Sequence, residues 1–405
     1  MPTGYYVNDF EIYRHDTVIM CGYYMSNTQD GFIGCFGIYQ AFFLSYPIFL
    51  ANNFLASTSN QTVPVREFKE VEVYEKPVMQ GTKTSAVAVG ILGGNTGGSC
   101  VLETIIDMST FTPIWAYSSG TSGEYSEEMN QITITNNYIV TGGTMFNDYD
   151  AVKMRVFMKT SAPDIFSYTS YGTNGYDDVY YFPSNNVPQY ANAFPVISNN
   201  WQMTWTVNNE VALASFWQYG YPPNYTTYEG VLLHVYDITD MLTIPNVAPL
   251  HTLINYDKTN IISRIKDIRY NRQSQALYLL MDIDSQNLTY ESITAEIPYP
   301  PTPGTFQFHY LSGITRDHLD NFDFDQNYIS SGYRGGSLDL ALYTVPVGFV
   351  PTCSKTDFAS AFPTEDFNAK MHTYPLAIYR GNTQPITFTP YVEEIKLSIK
   401  CEEKY

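Results

Sequence analysis

Hydrophobic and polar positions alternate with period two along most of this chain, and the clearest stretch runs from Phe308 to Pro346. There Phe322 and Phe324 alternate with Asp323 and Asp325, Tyr328 and Ile329 lead up to Gly332, and Leu338, Leu340 and Leu342 alternate again after a Gly-Gly turn. Period-two runs bounded by turn residues predict three antiparallel strands. The polar partners of this alternation, Asp323 here and Glu11 and Thr133 at matching places, are expected on the solvent-facing side of their strands.

The same grammar recurs. An aromatic or β-branched residue followed four positions later by glycine appears as Val18 to Gly22, Tyr138 to Gly142 and Tyr328 to Gly332. An alternating run precedes each pair (Phe10 and Ile12, Ile132 and Ile134, Phe322 and Phe324), and another comes after it (Phe32 to Ile38, Val152 to Met158, Leu338 to Tyr343). Less regular copies cover Val65 to Met108, Trp201 to Ile238 and Ile262 to Ile297, and the last, from His372 to Ile399, is the most degenerate. The copies recur about every 60 residues, near the range in which repeats form propellers or solenoids. Seven are counted, at 5–40, 63–118, 124–160, 193–240, 259–298, 306–346 and 371–401, with six as the alternative count.

No segment carries a helical apolar stripe with a cap and a stop; Ser109 to Ser119 and Thr356 to Phe362 have room for a helical turn at most. The most apolar run, Ala41 to Ala56, is broken by Ser45, Pro47, Asn52 and Asn53. It falls short of the roughly 20 residues of a membrane helix and reads as a buried strand and its connection, so no transmembrane segment is expected. The fold class expected is all-β: a single β-propeller domain over 1–405 with four-stranded antiparallel blades, closed by strands from the two termini completing one blade.

Three groups of residues carry a likeness to a known architecture: Asp9-Phe10-Glu11-Ile12 with Cys21-Gly22-Tyr23 and Gly31-Phe32-Ile33-Gly34, Asn137 to Gly143 with Arg155-Val156-Phe157, and Phe308 to Pro346. In these the chain resembles the divergent seven-bladed β-propellers of bacterial extracytoplasmic and surface proteins. The WD40, kelch and YWTD signatures are missing, so the resemblance rests on strand grammar. It implies an architecture and an extracytoplasmic location, periplasm or cell surface, reached after removal of a leader that Met-Pro-Thr-Gly-Tyr-Tyr-Val does not provide.

Composition agrees with strands: aromatic residues make up 16%, with 36 Tyr and 24 Phe, against 15% charged residues. Forty acidic and 21 basic side chains give a formal net charge of −19, which repels phosphate backbones and anionic membranes, so nucleic acid is not an expected partner. Cys21, Cys35, Cys100, Cys353 and Cys401 form no CxxC pair and no zinc-ligand spacing with the six scattered histidines. No cofactor is expected, and a monomer is.

Two constellations remain as ligand-binding candidates. Trp217, Tyr219, Tyr221, Tyr225 and Tyr228 crowd a turn containing Pro222-Pro223, where flat rings suit a sugar face or a protein partner. Asp317, His318 and Asp320 lie in the densest polar cluster, near the start of a copy, where an innermost strand would face an axial channel and a divalent cation or cationic ligand would be held. Gly-x-Ser-x-Gly, the P-loop and the dinucleotide fingerprint are all missing, so no catalytic residues are assigned. The expected function is non-enzymatic binding or scaffolding, of glycan or protein, through loops on one face. The alternative is a carbohydrate-active enzyme, a glycoside hydrolase or lyase, with carboxylates at the axial channel.

Overall fold

The computed structural model describes residues 4–13, 17–25, 29–37, 45–52, 54–57, 62–79, 81–93, 98–107, 110–119, 126–146, 151–159, 167–172, 196–219, 228–243, 250–257, 262–283, 291–301, 307–310, 319–324, 328–334, 340–346, 364–366, 384–385 and 391–398. Nearly all of them are β-strand, in antiparallel sheets built from strands consecutive in the chain. Two compact units share the chain: Met1–Ile132 with Gly336–Leu340 and Gly381–Tyr405, and Thr133–Gly335 with Ala341–Arg380.

In the first unit, β1 (Tyr5–Tyr13), β2 (Thr17–Met25), β3 (Gln29–Gly37) and β4 (Ser45–Asn52) form one sheet. Next come β5 (Leu55–Ser57), β6 (Thr62–Val78), β7 (Gly81–Leu92), β8 (Ser99–Asp107) and β9 (Thr110–Ser119), which form a second. Ser109 to Ser119, expected to hold at most a helical turn, is mainly β9, paired with β8 across one irregularity at Ile114. The second sheet packs on the first through Ile19, Cys21, Ile33 and Cys35 against Val71, Ala86, Ala88 and Leu102. The opposite face of the first sheet is also buried, through Phe10, Val18, Met20 and Phe32. Burial on both faces explains the unbroken apolar run Val18-Ile19-Met20-Cys21, where a half-exposed strand would alternate.

In chain order, β10 (Ser126–Ile134) runs from the first unit into the second, where it heads a sheet with β11 (Tyr138–Phe146), β12 (Ala151–Met158) and β13 (Ser167–Gly172). Another meander comprises β14 (Val196–Trp205), β15 (Glu210–Tyr219), β16 (Tyr228–Asp237) and, after the short helix α1 (Ile238–Thr243), β17 (His251–Asp257). Asp237 caps α1, its Oδ1 accepting the Thr239 N–H at 2.7 Å. The next sheet is β18 (Ile262–Asn271), β19 (Ala276–Ile283), β20 (Glu291–Pro298) and β21 (Gln307–Tyr310), and the last is β22 (Leu319–Phe324), β23 (Tyr328–Arg334) and β24 (Leu340–Pro346). Ala212, Ala214, Leu233 and Val235 of the β14–β17 sheet share a core with Ile268, Leu277, Leu279, Ala295 and Ile297 of its successor.

Three C-terminal strands extend earlier sheets at their last strands. Thus β25 (Thr364–Asp366) pairs with β17, β26 (Gln384–Pro385) with β9, and β27 (Tyr391–Ser398) with β4. Of the last sequence copy, the described β27 therefore belongs to the first sheet; His372 to Tyr379 lies outside the described residues.

Strands β1, β10, β14, β18 and β22 stand at sheet edges, and β6 does so beyond the three residues that β5 covers; outward N–H groups there need acceptors. A β-bulge interrupts β1 between Val7 and Asp9, β6 between Phe68 and Glu70, β18 between Ile265 and Asp267, and β22 between Leu319 and Asn321. At the first two of these the polar residue just past the bulge reaches the following sheet. Asp9 Oδ2 accepts the Val71 N–H at 2.9 Å, and Glu70 Oε2 accepts the Ile132 N–H at 3.0 Å. Asn8, the extra residue of the first bulge, donates its Nδ2 to Phe68 O at 2.7 Å. In the second unit, Thr133 Oγ1 accepts the Trp205 N–H at 2.7 Å. Glu11 and Thr133, expected on a solvent-facing side, are both buried, because another sheet occupies the space that a two-layer protein would leave to water.

Two of these bulges also crowd the glycine opposite them. Gly22 pairs with Val7 and Gly90 with Phe68, each beside a bulge whose backbone curls over the neighbouring strand. A Cβ on Gly22 would stand 1.9 Å from Tyr6 O, and one on Gly90 2.4 Å from Glu67 O.

Candidate functional site

Three hairpin turns of the second unit, each joining the first and second strands of a meander, meet in one polar surface. The β10–β11 turn carries Thr135, Asn136 and Asn137, the β14–β15 turn carries Asn208 and Asn209, and the β18–β19 turn runs from Arg272 to Gln275. Asn and Gly tolerate left-handed backbone best; Asn208 adopts it with φ 51°, and Gln275 does so at the same angle. Asn271 shapes the third turn by accepting the Gln273 and Ser274 N–H groups at its Oδ1.

Hydrogen bonds join the first two turns, and a ring contact ties the third to them. Asn136 N–H donates to Asn208 O at 3.1 Å, while the Asn137 N–H and the Thr135 hydroxyl both lie 3.3 Å from Asn209 Oδ1. Lys159, directly after β12, donates its backbone N–H to Asn137 O at 3.0 Å and its Nζ to Thr135 O at 3.3 Å. Trp205 Nε1–H donates to Asn208 O at 3.0 Å, and the Arg272 guanidinium lies over a Trp205 ring, 3.7 Å from its centroid. Tyr299 donates its hydroxyl to Glu210, accepts from Thr206 at 3.1 Å and packs edge-on against Tyr270, with ring centroids 5.3 Å apart.

The electrostatics reflect partial burial in a crowded basic corner. Desolvation, with the Arg272 charge adding to it, lowers the Lys159 ammonium below its ordinary value. Burial also lowers Arg272 and raises the Tyr270 phenol, whereas Tyr299 is raised by burial and by its bond to Glu210. The surface offers planar rings, exposed amides and two cations, a chemistry suited to holding a polar ligand.

The sequence candidates stand elsewhere. Trp217 and Tyr219 occupy alternate positions near the end of β15, and Tyr228 pairs with Tyr219 at the start of β16. That hairpin is at the other end of β15 from Glu210, so the two aromatic groups lie at opposite ends of one strand. Asp320 is the extra residue of the β22 bulge. Tyr221, Tyr225, Asp317 and His318 lie outside the described residues. The sequence signal for the turn cluster is two Asn-Asn pairs, Asn136-Asn137 and Asn208-Asn209, each set between alternating strands.

A second polar cluster is closed on itself. Glu103 on β8 is fully buried, and its carboxylate accepts the Tyr74 hydroxyl, the Ser85 hydroxyl at 2.6 Å and Lys76 Nζ at 2.8 and 2.7 Å. With its oxygens so engaged, Glu103 ties β6, β7 and β8 together on one face of their sheet. Among the described residues no three His, Cys, Asp or Glu side chains gather as a metal-ligand set, and no helix is long and apolar enough to cross a membrane.

Searches for relatives return no matching protein-family model and no curated protein similar to the chain in sequence.

Proposed function

We propose that this protein is a non-enzymatic binding β-propeller whose first-to-second-strand turns form the ligand face, with a glycan as the favoured ligand. The sheets are its blades on this reading. Because β27 lies against β4, the count it favours is six, with strands from both termini in the first blade, in place of seven. The observation that carries the functional reading is the joining of three turns into one surface holding Trp205, Arg272, Lys159 and the exposed amides of Asn136, Asn137, Asn208 and Gln273. Amides and aromatic rings are the groups that hydroxyl-rich sugars engage, by hydrogen bonds and by stacking. An extracytoplasmic location fits such a ligand and comes from the family resemblance.

Isothermal titration against a panel of neutral and charged oligosaccharides tests the reading. At least one glycan is expected to bind the wild-type chain and to lose about tenfold or more in affinity on Trp205→Ala, which corresponds to about 1.4 kcal/mol. A panel with no binder, or binding untouched by Trp205→Ala and by Asn208→Ala, would sink it.

A further inference from the structure

The two cations of the turn surface narrow the ligand class. We infer that Arg272 and Lys159 form a carboxylate subsite, so that the preferred glycan is an acidic one carrying hexuronate residues; this assignment rests on the proposed glycan binding. In a chain of net charge −19, one connected set of contacts carries two basic groups: Lys159 is held by Thr135 and Asn137, Asn136 bonds Asn208, Asn208 accepts from Trp205, and Trp205 bears Arg272. Among the described residues no carboxylate pairs with Arg272, and the nearby acid of the cluster, Glu210, receives the Tyr299 hydroxyl.

Stacking on Trp205 holds the guanidinium flat at 3.7 Å. Such a stack uses the face of the group and leaves its edge, where the N–H donors lie, for a planar acceptor. A carboxylate matches that fork with two parallel hydrogen bonds, and an ammonium beside it adds a point charge without demanding geometry. Lys159 is fixed at its backbone by Asn137 O and at its Nζ by Thr135 O, which holds its ammonium, a group with three donors, on the turn surface. Exposed Asn136, Asn208 and Gln273 border the pair and supply the amides that a sugar's hydroxyl groups require. Arg272 and Lys159 would thus set the preference for an acid over a neutral sugar, while the amides and rings would bind either.

The test compares a galacturonate trisaccharide with its fully methyl-esterified form, which keeps the size and hydroxyl pattern but removes the charge. Both are titrated calorimetrically into wild type, Arg272→Leu, Arg272→Lys and Lys159→Gln, each variant first shown by circular dichroism to keep its strand signal. The acid is expected to bind wild type at least about tenfold more tightly than the ester. Arg272→Leu should erase that ratio, Arg272→Lys should restore part of it, and Lys159→Gln should reduce it. Equal binding of acid and ester would overturn the inference and leave the glycan-binding reading intact. So would an acid preference that survives both Arg272→Leu and Lys159→Gln. If neither trisaccharide binds while a neutral member of the panel does, the inference again falls alone; if nothing on the panel binds, both fall.

Discussion

Removing the Asp9 carboxylate tests whether side chains of one sheet satisfy the edge of the next. The Val71 N–H lies on the edge of β6 beyond the three residues that β5 covers, Thr62 to Pro64, and both Val71 and Asp9 are buried. In Asp9→Ala the N–H loses its 2.9 Å acceptor, with no strand to replace it. A hydrogen bond to a charged group contributes about 1.5–3 kcal/mol, and an orphaned buried donor costs about the same, so Asp9→Ala should destabilise by about 2–3 kcal/mol. Asp9→Asn keeps an oxygen at the same place and sheds the cost of a buried charge, so it should stay within about 1 kcal/mol of wild type.

Urea unfolding gives the comparison as a shift in midpoint at constant slope. Deuterium exchange of peptides spanning 65–78 gives its location: Asp9→Ala should speed exchange there and leave 276–283 unchanged. Glu70→Ala and Glu70→Gln, read at Ile132, should repeat the pattern, because Glu70 bonds that amide at 3.0 Å. An Asp9→Ala chain within about 0.5 kcal/mol of wild type, or an Asp9→Asn chain as unstable as Asp9→Ala, would refute the reasoning.

Gly22→Ala and Gly90→Ala should each cost about 2 kcal/mol or more, since the new Cβ would meet backbone oxygen at 1.9 and 2.4 Å; urea midpoints equal to wild type would contradict this. Glu103→Leu should cost about 3–5 kcal/mol by leaving Lys76, Tyr74 and Ser85 without their acceptor, and adding Lys76→Met should recover part of the loss, as a double-mutant cycle would show. Burial lowers His234 from an ordinary 6.5 to about 4, so above pH 6.5 the imidazole is neutral in both states and adds no pH dependence. From pH 6.5 down to 4 the unfolded chain takes up a proton that the folded one refuses, and stability should fall by up to about 3 kcal/mol, a slope that His234→Phe should lessen in urea midpoints measured across that range.

How far the sequence discloses this fold depends on which face of a strand is asked about. Strands themselves are legible, because Phe10, Ile12, Val18 and Ile33 sit in period-two or unbroken apolar runs that leave few alternatives; β7 and β8 fall within the less regular copy over Val65 to Met108. The recurring glycine is legible as a signal but not as a cause, since the bulge that crowds Gly22 shows only in the pairing of Val7 and Asp9 with β2. Glu11 and Thr133 are misread from sequence because alternation alone does not tell a polar residue facing water from one facing another sheet. For the candidate site the sequence offers the aromatics around Pro222-Pro223, a feature visible as composition. Trp205, Arg272 and Lys159 are 46 or more residues from one another, and only the side-by-side placement of three hairpins unites them.

The bonds at the sheet edges come at similar sequence separations but from different residue types. Asp9 to Val71 and Glu70 to Ile132 are each separated by 62 residues, and Thr133 to Trp205 by 72. The first two separations match while the side chains do not, because the edge N–H requires only an oxygen at the right distance, which Asp, Glu and Thr supply at different reach. The third separation is ten residues longer, and the bond is made there too. Asp267 too lies just past a bulge, and its oxygens accept Ile268 N–H at 2.8 Å and Arg269 Nε at 3.4 Å. An edge held by acceptor placement in this way constrains where the oxygen stands and leaves open which residue supplies it, so such contacts are read from pairing and spacing and not from residue identity.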